Sequence, residues 1–428
     1  MKETATHRLR RPGPSSVWVL TGIVILALSL RTPIVAPTAV ISDIQADTGL
    51  SAPGAGLLTG IPVLLFALAT PLASRVIRGF GAEAAVVLCL AGVLAGTALR
   101  SAGPTALVLA GTVLIGTAIT VGNIVVPVII RRDVPFRQIS AATGAYTAAM
   151  NVGSMAALLG TPLLAGLVGW RWAVASSAVA TAAGLAYWLI LGRPSRRSAA
   201  AAGSREPAHP EKASAASAAS DPRSTSDGPG AAAAAAGAAG ARNLRITVLL
   251  TLTFCGQSAS YYATTTWLPL LLAEERGLGA GAASAAASLF QVAAIAGAFG
   301  VPLLARRTRI QVPMAVVAAC WIALPVGLLA APGAYLLWSL IGGIAQGGGF
   351  TAIFSIVPAV ARSDADAASA SARIQGGGYL AATAAPPLAG WLHTATGGWT
   401  GPLLLVLAAT LVFTVCGLLA AWLAERRT

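Results

Sequence analysis

A single arginine interrupts the first long apolar run of the sequence and constrains the fold more than any other residue. The run covers residues 17–41, and Arg31 is its only charge. At 1.5 Å per residue Arg31 lies about 21 Å along the run, near the middle of a bilayer core about 30 Å thick. A charge there costs roughly 2.5–3.5 kcal/mol, so we expect Arg31 to face protein or a wet cavity. The two alternatives are a cation that lines a binding cavity and an arginine neutralised by carbonyls inside a bundle.

Twelve apolar runs are long enough to cross a membrane. They cover residues 17–41, 54–74, 83–101, 105–130, 139–167, 171–191, 245–272, 282–304, 312–331, 334–360, 368–392 and 400–423. Only 10% of the 428 residues are charged, against about 25% in soluble domains. Lipid offers no partner to backbone polar groups, so runs of this length must be helices. We expect an all-α integral membrane protein with twelve transmembrane helices.

The net charge of +14 follows membrane topology and does not indicate a nucleic-acid partner. With the N-terminus in the cytoplasm, 24 of the 28 Lys and Arg residues fall in cytoplasmic segments, whereas Arg100, Arg171 and Arg276 fall in outer ones. This bias predicts a multi-pass protein of the bacterial plasma (inner) membrane with both termini in the cytoplasm. The sequence shows no basic face with aromatic or helical readers, which nucleic-acid binding requires.

The two halves of the chain repeat each other. With a shift of 231 residues, Arg131 and Asp133 coincide with Arg362 and Asp364, and a proline precedes each pair. The shift becomes 224 after a shorter loop, where residues 162–166 match 386–390. Two parallel six-helix repeats predict the major facilitator fold.

The apolar runs and the internal repeat divide the chain into five expected segments. A linker is expected over 193–243, where Ala, Ser, Pro and Gly leave too little bulky apolar surface to offset the entropy of ordering. The other segments are a cytoplasmic tail over 1–16, a six-helix bundle over 17–192, a second bundle over 244–424 and a short cytoplasmic tail over 425–428.

The apolar runs lack the residues of a catalytic or metal site. All fourteen acidic residues lie in loops, the linker, tails or helix ends, and the two lysines are Lys2 and Lys212. His7, His209 and His393 are far apart, and the four cysteines match no zinc spacing. We expect no metal, no cofactor and no enzymatic activity. An intramembrane enzyme is kept as the alternative from another class.

Neutral polar and aromatic side chains inside the runs are the candidates to line a cavity with Arg31. When the halves are aligned with the shift of 231 residues, Arg31 coincides with Tyr262. Candidates that are four residues apart in a helix lie on the same face of that helix. For each neutral candidate the alternative is a hydrogen bond between helices, worth about 0.6 kcal/mol on average. The candidate substrate-binding residues are Arg31, Asn123, Tyr146, Asn151, Gln257, Tyr261, Tyr262, Gln291, Gln346, Gln375 and Tyr379.

A cavity with one guanidinium and no acid selects the charge of its ligand. The guanidinium attracts an anion or an electron-rich group, and its planar fork fits carboxylate-like or nitro-like oxygens. A second set of residues at the cytoplasmic helix ends is assigned to loops and gating. Its members are Arg75, Arg78, Gly81, Arg131, Asp133, Arg306, Arg362 and Asp364.

Short motifs in both halves resemble, in their order and spacing, the cyanate and 2-nitroimidazole transporter family of the major facilitator superfamily. They are Leu-Arg-Thr-Pro at 30–33, Gly-Asn at 122–123, Arg-Arg-Asp at 131–133, Tyr-Thr at 146–147, Gly-Trp-Arg-Trp at 169–172, Tyr-Tyr at 261–262, Trp-Leu-Pro at 267–269, Gln-Gly at 346–347, Gln375, Gly-Tyr at 378–379 and Gly-Gly-Trp at 397–399. One departure is Ser74, which stands where the superfamily's loop signature has an acidic residue.

The resemblance implies a secondary transporter that works by alternating access. Its expected solute is small and anionic or electron-rich, which covers cyanate-like, carboxylate-like and nitroaromatic compounds. The expected partners are this solute, membrane lipid, and either a coupling proton or a counter-substrate, and we expect a monomer. A multidrug or metabolite efflux transporter of the same fold is the alternative.

Overall fold

The structure is a computed structural model that describes residues 14–135, 138–191, 229–360 and 364–425. Within these ranges all regular structure is helical. The N-terminal half contains α1 (Pro14–Val35), α2 (Ile41–Thr48), α3 (Ala52–Leu68), α4 (Thr70–Phe80), α5 (Ala82–Ala102), α6 (Thr105–Asp133), α7 (Ile139–Ala175) and α8 (Ser177–Leu191). The C-terminal half contains α9 (Pro229–Arg276), α10 (Ala280–Ala305), α11 (Gln311–Ala330), α12 (Tyr335–Val360), α13 (Asp364–Ala382), α14 (Ala385–Thr396) and α15 (Thr400–Glu425). Short 3-10 helices occupy Ala36–Val40 and Pro332–Ala334.

Most described helices are long and apolar enough to cross a membrane. Eight meet this condition directly, and α3 with α4, bent by 61°, forms a ninth span. The segment Ala141–Ile190 has 50 residues, or about 75 Å of helix, more than twice the bilayer core. It therefore holds two spans, and its backbone breaks at Gly169, where φ is 81°. The chain reverses there, because Trp170 bonds Asp47 whereas Trp188 bonds Gly22.

Two helical segments are too polar to be recognised as spans by length and hydropathy alone. They are α9, which carries Tyr261 and Tyr262, and the α13–α14 pair, which carries Gln375 and Tyr379. When they are added to the apolar spans, the described helices agree with the expected twelve crossings. Their polar composition prevents recognition of these two segments as spans by hydropathy. The same polar composition is what a cavity lining requires.

Prolines break three of the spans. Pro33 lies inside α1 and Pro37 in the 3-10 helix that follows. Pro71 lies in the first turn of α4, and Pro386 in the first turn of α14. Proline has no N–H and clashes with the preceding turn, so each break has a local cause.

The two halves pack most closely at the end of the bundle that contains Asp47, called here the Asp47 end. There α3 packs against α13 and α14. A Cβ added to Gly56 would lie 2.6 Å from the Pro386 carbonyl carbon, so only glycine permits this approach. The hydroxyls of Thr59 and Thr266 form a hydrogen bond of 2.6 Å between the halves.

The opposite end, called here the Glu83 end, is stabilised largely within each half. Arg132 pairs with Glu83 and with Asp133, and Gln311 bonds Glu425. The helix α4 packs on α3, α5 and α6, all of its own half. Between the halves, α7 packs on α10. The bundle is therefore closed at the Asp47 end and less tightly joined along α4 at the Glu83 end.

The boundaries of the expected tails and linker differ from the helix limits. The first helix begins at Pro14, three residues before the expected run. The helix α9 begins at Pro229, so residues 229–243 of the expected linker are helical. Because oligo-alanine is a strong helix former, this part extends the following span. The remainder of the expected linker, over 193–228, lies outside the described residues.

Candidate functional site

Arg31 lies between the two halves, four residues before the end of α1. Its Nη1 donates a hydrogen bond of 3.0 Å to the Tyr261 hydroxyl of α9. Its Cζ lies 5.3 Å from the centroid of the Tyr261 ring, within cation–π range. The side chain is partly buried. A cation from one half and a phenol from the other therefore form the centre of the candidate site.

Arg31 has no carboxylate partner among the described residues. The ion pairs found there are Arg132 with Glu83 and Asp133, Arg171 with Asp47, and His393 with Glu274. All of them lie at helix ends. The charge of Arg31 is therefore balanced by neutral dipoles and ring faces, which leaves it able to attract an anion.

All four predicted site tyrosines interact with Arg31. Besides Tyr261, the side chains of Tyr146, Tyr262 and Tyr379 interact electrostatically with its guanidinium. Tyr146 also donates a hydrogen bond of 3.2 Å to Asn123 Oδ1, which joins α7 to α6. The site therefore draws side chains from α1, α6, α7, α9 and α13.

Three buried phenylalanines that sequence reasoning missed pack against the tyrosines of the site. The Tyr379 ring packs edge-on against Phe66 at 5.6 Å and against Phe254 at 5.3 Å between centroids. Phe290 stacks on the Tyr261 ring at 6.2 Å. Phenylalanine in an apolar span carries no signal of its neighbours, so only the three-dimensional arrangement shows that these three residues support the site.

Three predicted site residues use their amides in helix packing. Gln257 is 4% exposed; its Nε2 donates to the Gln346 carbonyl at 2.8 Å, and its Oε1 accepts from Trp321 at 2.6 Å. Gln291 is buried and donates to Thr265 at 3.4 Å. Asn151 donates to the carbonyl four residues earlier in its own helix.

The side-chain oxygens of Gln291 and Gln346 are buried and have no hydrogen-bond partner among the described residues. Gln375 is partly buried on α13, one turn before Tyr379. These amides belong to the C-terminal half, whereas the guanidinium belongs to the N-terminal half. The oxygens of Gln291 and Gln346 are therefore unsatisfied acceptors in the C-terminal half.

The gating set lies mostly at the Glu83 end. Arg75, Arg78, Arg131 and Arg306 are exposed there. Asp133 accepts from Arg132, the neighbour of the predicted Arg131, and Arg132 also reaches Glu83.

Gly81 joins α4 to α5 with φ of 84°, a conformation that favours glycine. Arg362 and the side chain of Asp364 lie outside what the structure describes.

The position of Arg100 differs from the one expected from the count of charges in each loop. We assigned it to an outer loop, but it lies in the last turn of α5 and is 1% exposed. Its Nη1 donates a hydrogen bond of 2.7 Å to the Pro33 carbonyl of α1. An arginine so near the end of a run normally extends its charge to the membrane surface. Here the side chain points into the bundle.

Comparison with known proteins agrees with the fold. The chain matches the family described as Major Facilitator Superfamily over residues 17–363. It is 30% identical to the 2-nitroimidazole transporter of Escherichia coli (strain K12) over 95% of this chain and 96% of that protein. It is 29% identical to the uncharacterized transporter YycB of Bacillus subtilis (strain 168), over 94% of this chain and 93% of that protein. These matches confirm the resemblance seen in the motifs.

Solved structures show the same architecture. A bacterial homolog of the human lysosomal transporter Spinster, in an inward-facing and occupied conformation, superposes with a TM-score of 0.68 at 18% identity, covering 97% of this chain and 98% of that one. A D-xylose–proton symporter superposes with a TM-score of 0.67 at 13% identity and 96% coverage of both chains. At these identities the likeness shows the fold. The chain belongs to the Major Facilitator Superfamily and is a multi-pass membrane transporter, not an enzyme.

Proposed function

We propose that this protein is a secondary active transporter for a small anionic or electron-rich polar solute. The observation that carries the proposal is Arg31, which meets Tyr261 between the halves and has no carboxylate partner among the described residues. An unpaired guanidinium at membrane depth is expensive, and a solute that brings negative charge offsets this cost. A cationic solute is repelled by the same group.

The chemistry around Arg31 favours a planar solute with two adjacent oxygens. A guanidinium has five N–H donors in a fixed fork, and Tyr261 accepts from one of its nitrogens. Carboxylate and nitro groups match such a fork. Phe66 and Phe254 pack edge-on against the partly buried Tyr379 and fix its ring, against which we expect a flat solute to pack. The name of the 2-nitroimidazole transporter, similar along nearly the whole chain, supports this class.

The unequal packing of the two ends supports alternating access. With the basic residues in the cytoplasm, the Asp47 end faces outward and the Glu83 end faces the cytoplasm of a bacterial cell, as do both termini. The outer end is closed by Gly56 against Pro386 and by Thr59 with Thr266. We assign the structure to a form that is closed toward the outside, and rocking of the halves would exchange it for the outward-open form.

A multidrug or metabolite exporter remains the second candidate, and one observation favours it. Phe254 packs against Phe350 and Phe354 with centroids 6.0 and 5.7 Å apart, beside Tyr379. This aromatic cluster resembles the lining that apolar drugs prefer. The two functions differ in whether the charge of the solute or its apolar area decides transport.

A competition experiment separates the two functions. Purified protein in liposomes is assayed for uptake of labelled 2-nitroimidazole, with protein-free liposomes as the control. The competitors are cyanate and three ring compounds that differ in charge, namely benzoate, benzamide and benzylammonium. We expect competition by benzoate and cyanate and little by benzylammonium. Equal competition by all three ring compounds contradicts the proposal and favours the exporter.

A further inference from the structure

Arg100 is the second guanidinium inside the N-terminal half, and the function proposed for Arg31 does not use it directly. Its side chain is fully buried, with one hydrogen bond, to the Pro33 carbonyl. Its Nε and Nη2 have no hydrogen-bond partner among the described residues. Burial of a permanent charge is costly, so its position requires a physical reason.

The sequence of α1 supplies this reason. In a helix the carbonyl of Pro33 accepts from the N–H of residue 37, but residue 37 is proline and has none. The helix also ends at Val35 and continues as the 3-10 helix Ala36–Val40. Arg100 supplies the donor that Pro37 lacks. A charged donor forms a stronger bond than a neutral one, and the C-terminal carbonyls of α5 partly offset the buried charge.

The Pro33 carbonyl lies two residues beyond Arg31, on the same turn of α1. The 3-10 helix Ala36–Val40, which begins three residues further on, packs against α7 of its own half and against α9 and α10 of the other. The break in α1 thus joins the turn of Arg31 to the closed interface between the halves. We therefore expect a change in the break to alter the direction from which Arg31 reaches Tyr261.

We propose that Arg100 is a positioning residue for Arg31. By binding the Pro33 carbonyl, Arg100 fixes the break of α1 and holds Arg31 in the orientation in which it meets Tyr261 of the other half. This inference rests on the proposed role of Arg31 as the solute anchor. The competing explanation is that the two free N–H groups of Arg100 bind an anion themselves, and the experiment below separates the two.

Two substitutions test the bond between Arg100 and Pro33. Arg100→Met removes the donor while retaining volume, and Pro37→Ala gives the Pro33 carbonyl an N–H from its own helix. Deuterium uptake over residues 34–41 is measured in the full chain without solute, together with the Kd for 2-nitroimidazole. We expect Arg100→Met to increase uptake over this segment and to raise the Kd about tenfold, as loss of a charge-assisted hydrogen bond predicts.

The double variant that combines Arg100→Met with Pro37→Ala tests the positioning role most sharply. We expect Pro37→Ala to restore most of the exchange protection and affinity in the Arg100→Met background, and to change little on its own. Arg100→Lys, which keeps a charged donor, should lie between wild type and Arg100→Met. Arg276→Met, at an exposed arginine of the same end, is the matched control.

Additive effects of the two substitutions, or unchanged exchange in Arg100→Met, would overturn the positioning role. Loss of binding that Pro37→Ala does not rescue, with exchange unchanged, would indicate an anion site at Arg100. If wild-type protein binds neither 2-nitroimidazole nor cyanate, the proposed solute class fails. The exchange measurement still tests the bond to Pro33 in that case.

Discussion

Arg31 and Arg100 both extend their guanidinium groups into the interior of the N-terminal half, and they have different kinds of partner. Arg31 bonds a tyrosine hydroxyl of the opposite half, whereas Arg100 bonds a backbone carbonyl of its own half. A phenol can exchange its hydrogen bond for one to water or solute as the halves move. A carbonyl at a proline break has no such alternative. The first contact suits a binding group and the second suits a fixed support.

The Tyr261 hydroxyl is predicted to orient Arg31 for binding. Tyr261→Phe removes the acceptor of Nη1 while the ring stays in place. Because hydrogen bonds to charged groups contribute about 1.5–3 kcal/mol, we expect the Kd for 2-nitroimidazole to rise about tenfold or more. Isothermal titration of the purified variant measures this change. Tyr335→Phe, at the start of α12, is the control, and equal affinity of both variants would contradict the role of Tyr261.

How well the role of a single residue could be predicted from the sequence depended on the depth of that residue in its apolar run. Arg31 was predictable as a central group because no side chain can extend to water from the middle of a span. Arg100 was not, because its burial depends on a carbonyl that Pro37 leaves free in another helix. The amide of Gln257 shows the same limit, since its partners Trp321 and Gln346 belong to helices distant in sequence.

At the scale of elements, glycine and proline control how the halves meet. The bent α3–α4 span carries Gly56 and Gly60, which face the backbone around Thr383 and Pro386 in the broken α13–α14 span. The apolar runs predict that these spans exist, because their length and composition suffice. The bends were not predicted, since a hydropathy count does not record where a proline removes a hydrogen bond.

Gly56 is predicted to be required for closure of the Asp47 end. In Gly56→Ala the new Cβ would lie 2.6 Å from the Pro386 carbonyl carbon, so the two helices must separate. We expect a Thr59→Cys probe, buried in wild type, to react several-fold faster with a membrane-impermeant maleimide in this background. The four native cysteines are replaced for this assay.

Gly160→Ala is the matched control for Gly56→Ala, because nothing lies within 4 Å of a Cβ added there. Labelling of Thr59→Cys that is as slow with Gly56→Ala as with Gly160→Ala would show that the outer closure does not depend on Gly56.

At the scale of the whole molecule, two helical halves contact each other through α3 with α13 and α14, and through α7 with α10. The internal repeat predicted the two halves. It did not predict which helices would break. Pro71 and Pro386 lie at the bends of α3–α4 and α13–α14, whereas their counterparts Pro302 and Pro162 lie inside helices that do not break there. Transport by rocking needs both halves and the interface between them.

The segment between the halves is predicted to be dispensable for transport. Residues 200–228 are mostly Ala, Ser, Pro and Gly, with too little apolar side-chain surface to form a core. We expect a variant without these residues to keep wild-type uptake of 2-nitroimidazole in liposomes and an unfolding midpoint close to that of wild type. Normal membrane levels with lost uptake would show that the segment has an active role.

The most direct test of the proposed function is uptake of 2-nitroimidazole and of cyanate by Arg31→Gln in liposomes. Arg309→Gln, at an exposed arginine outside the site, is the control, and thermal unfolding confirms that both variants are folded. If Arg31 anchors an electron-rich solute, Arg31→Gln loses uptake of at least one of these probes that wild type and Arg309→Gln transport. Wild-type uptake by folded Arg31→Gln would contradict the central role of this residue.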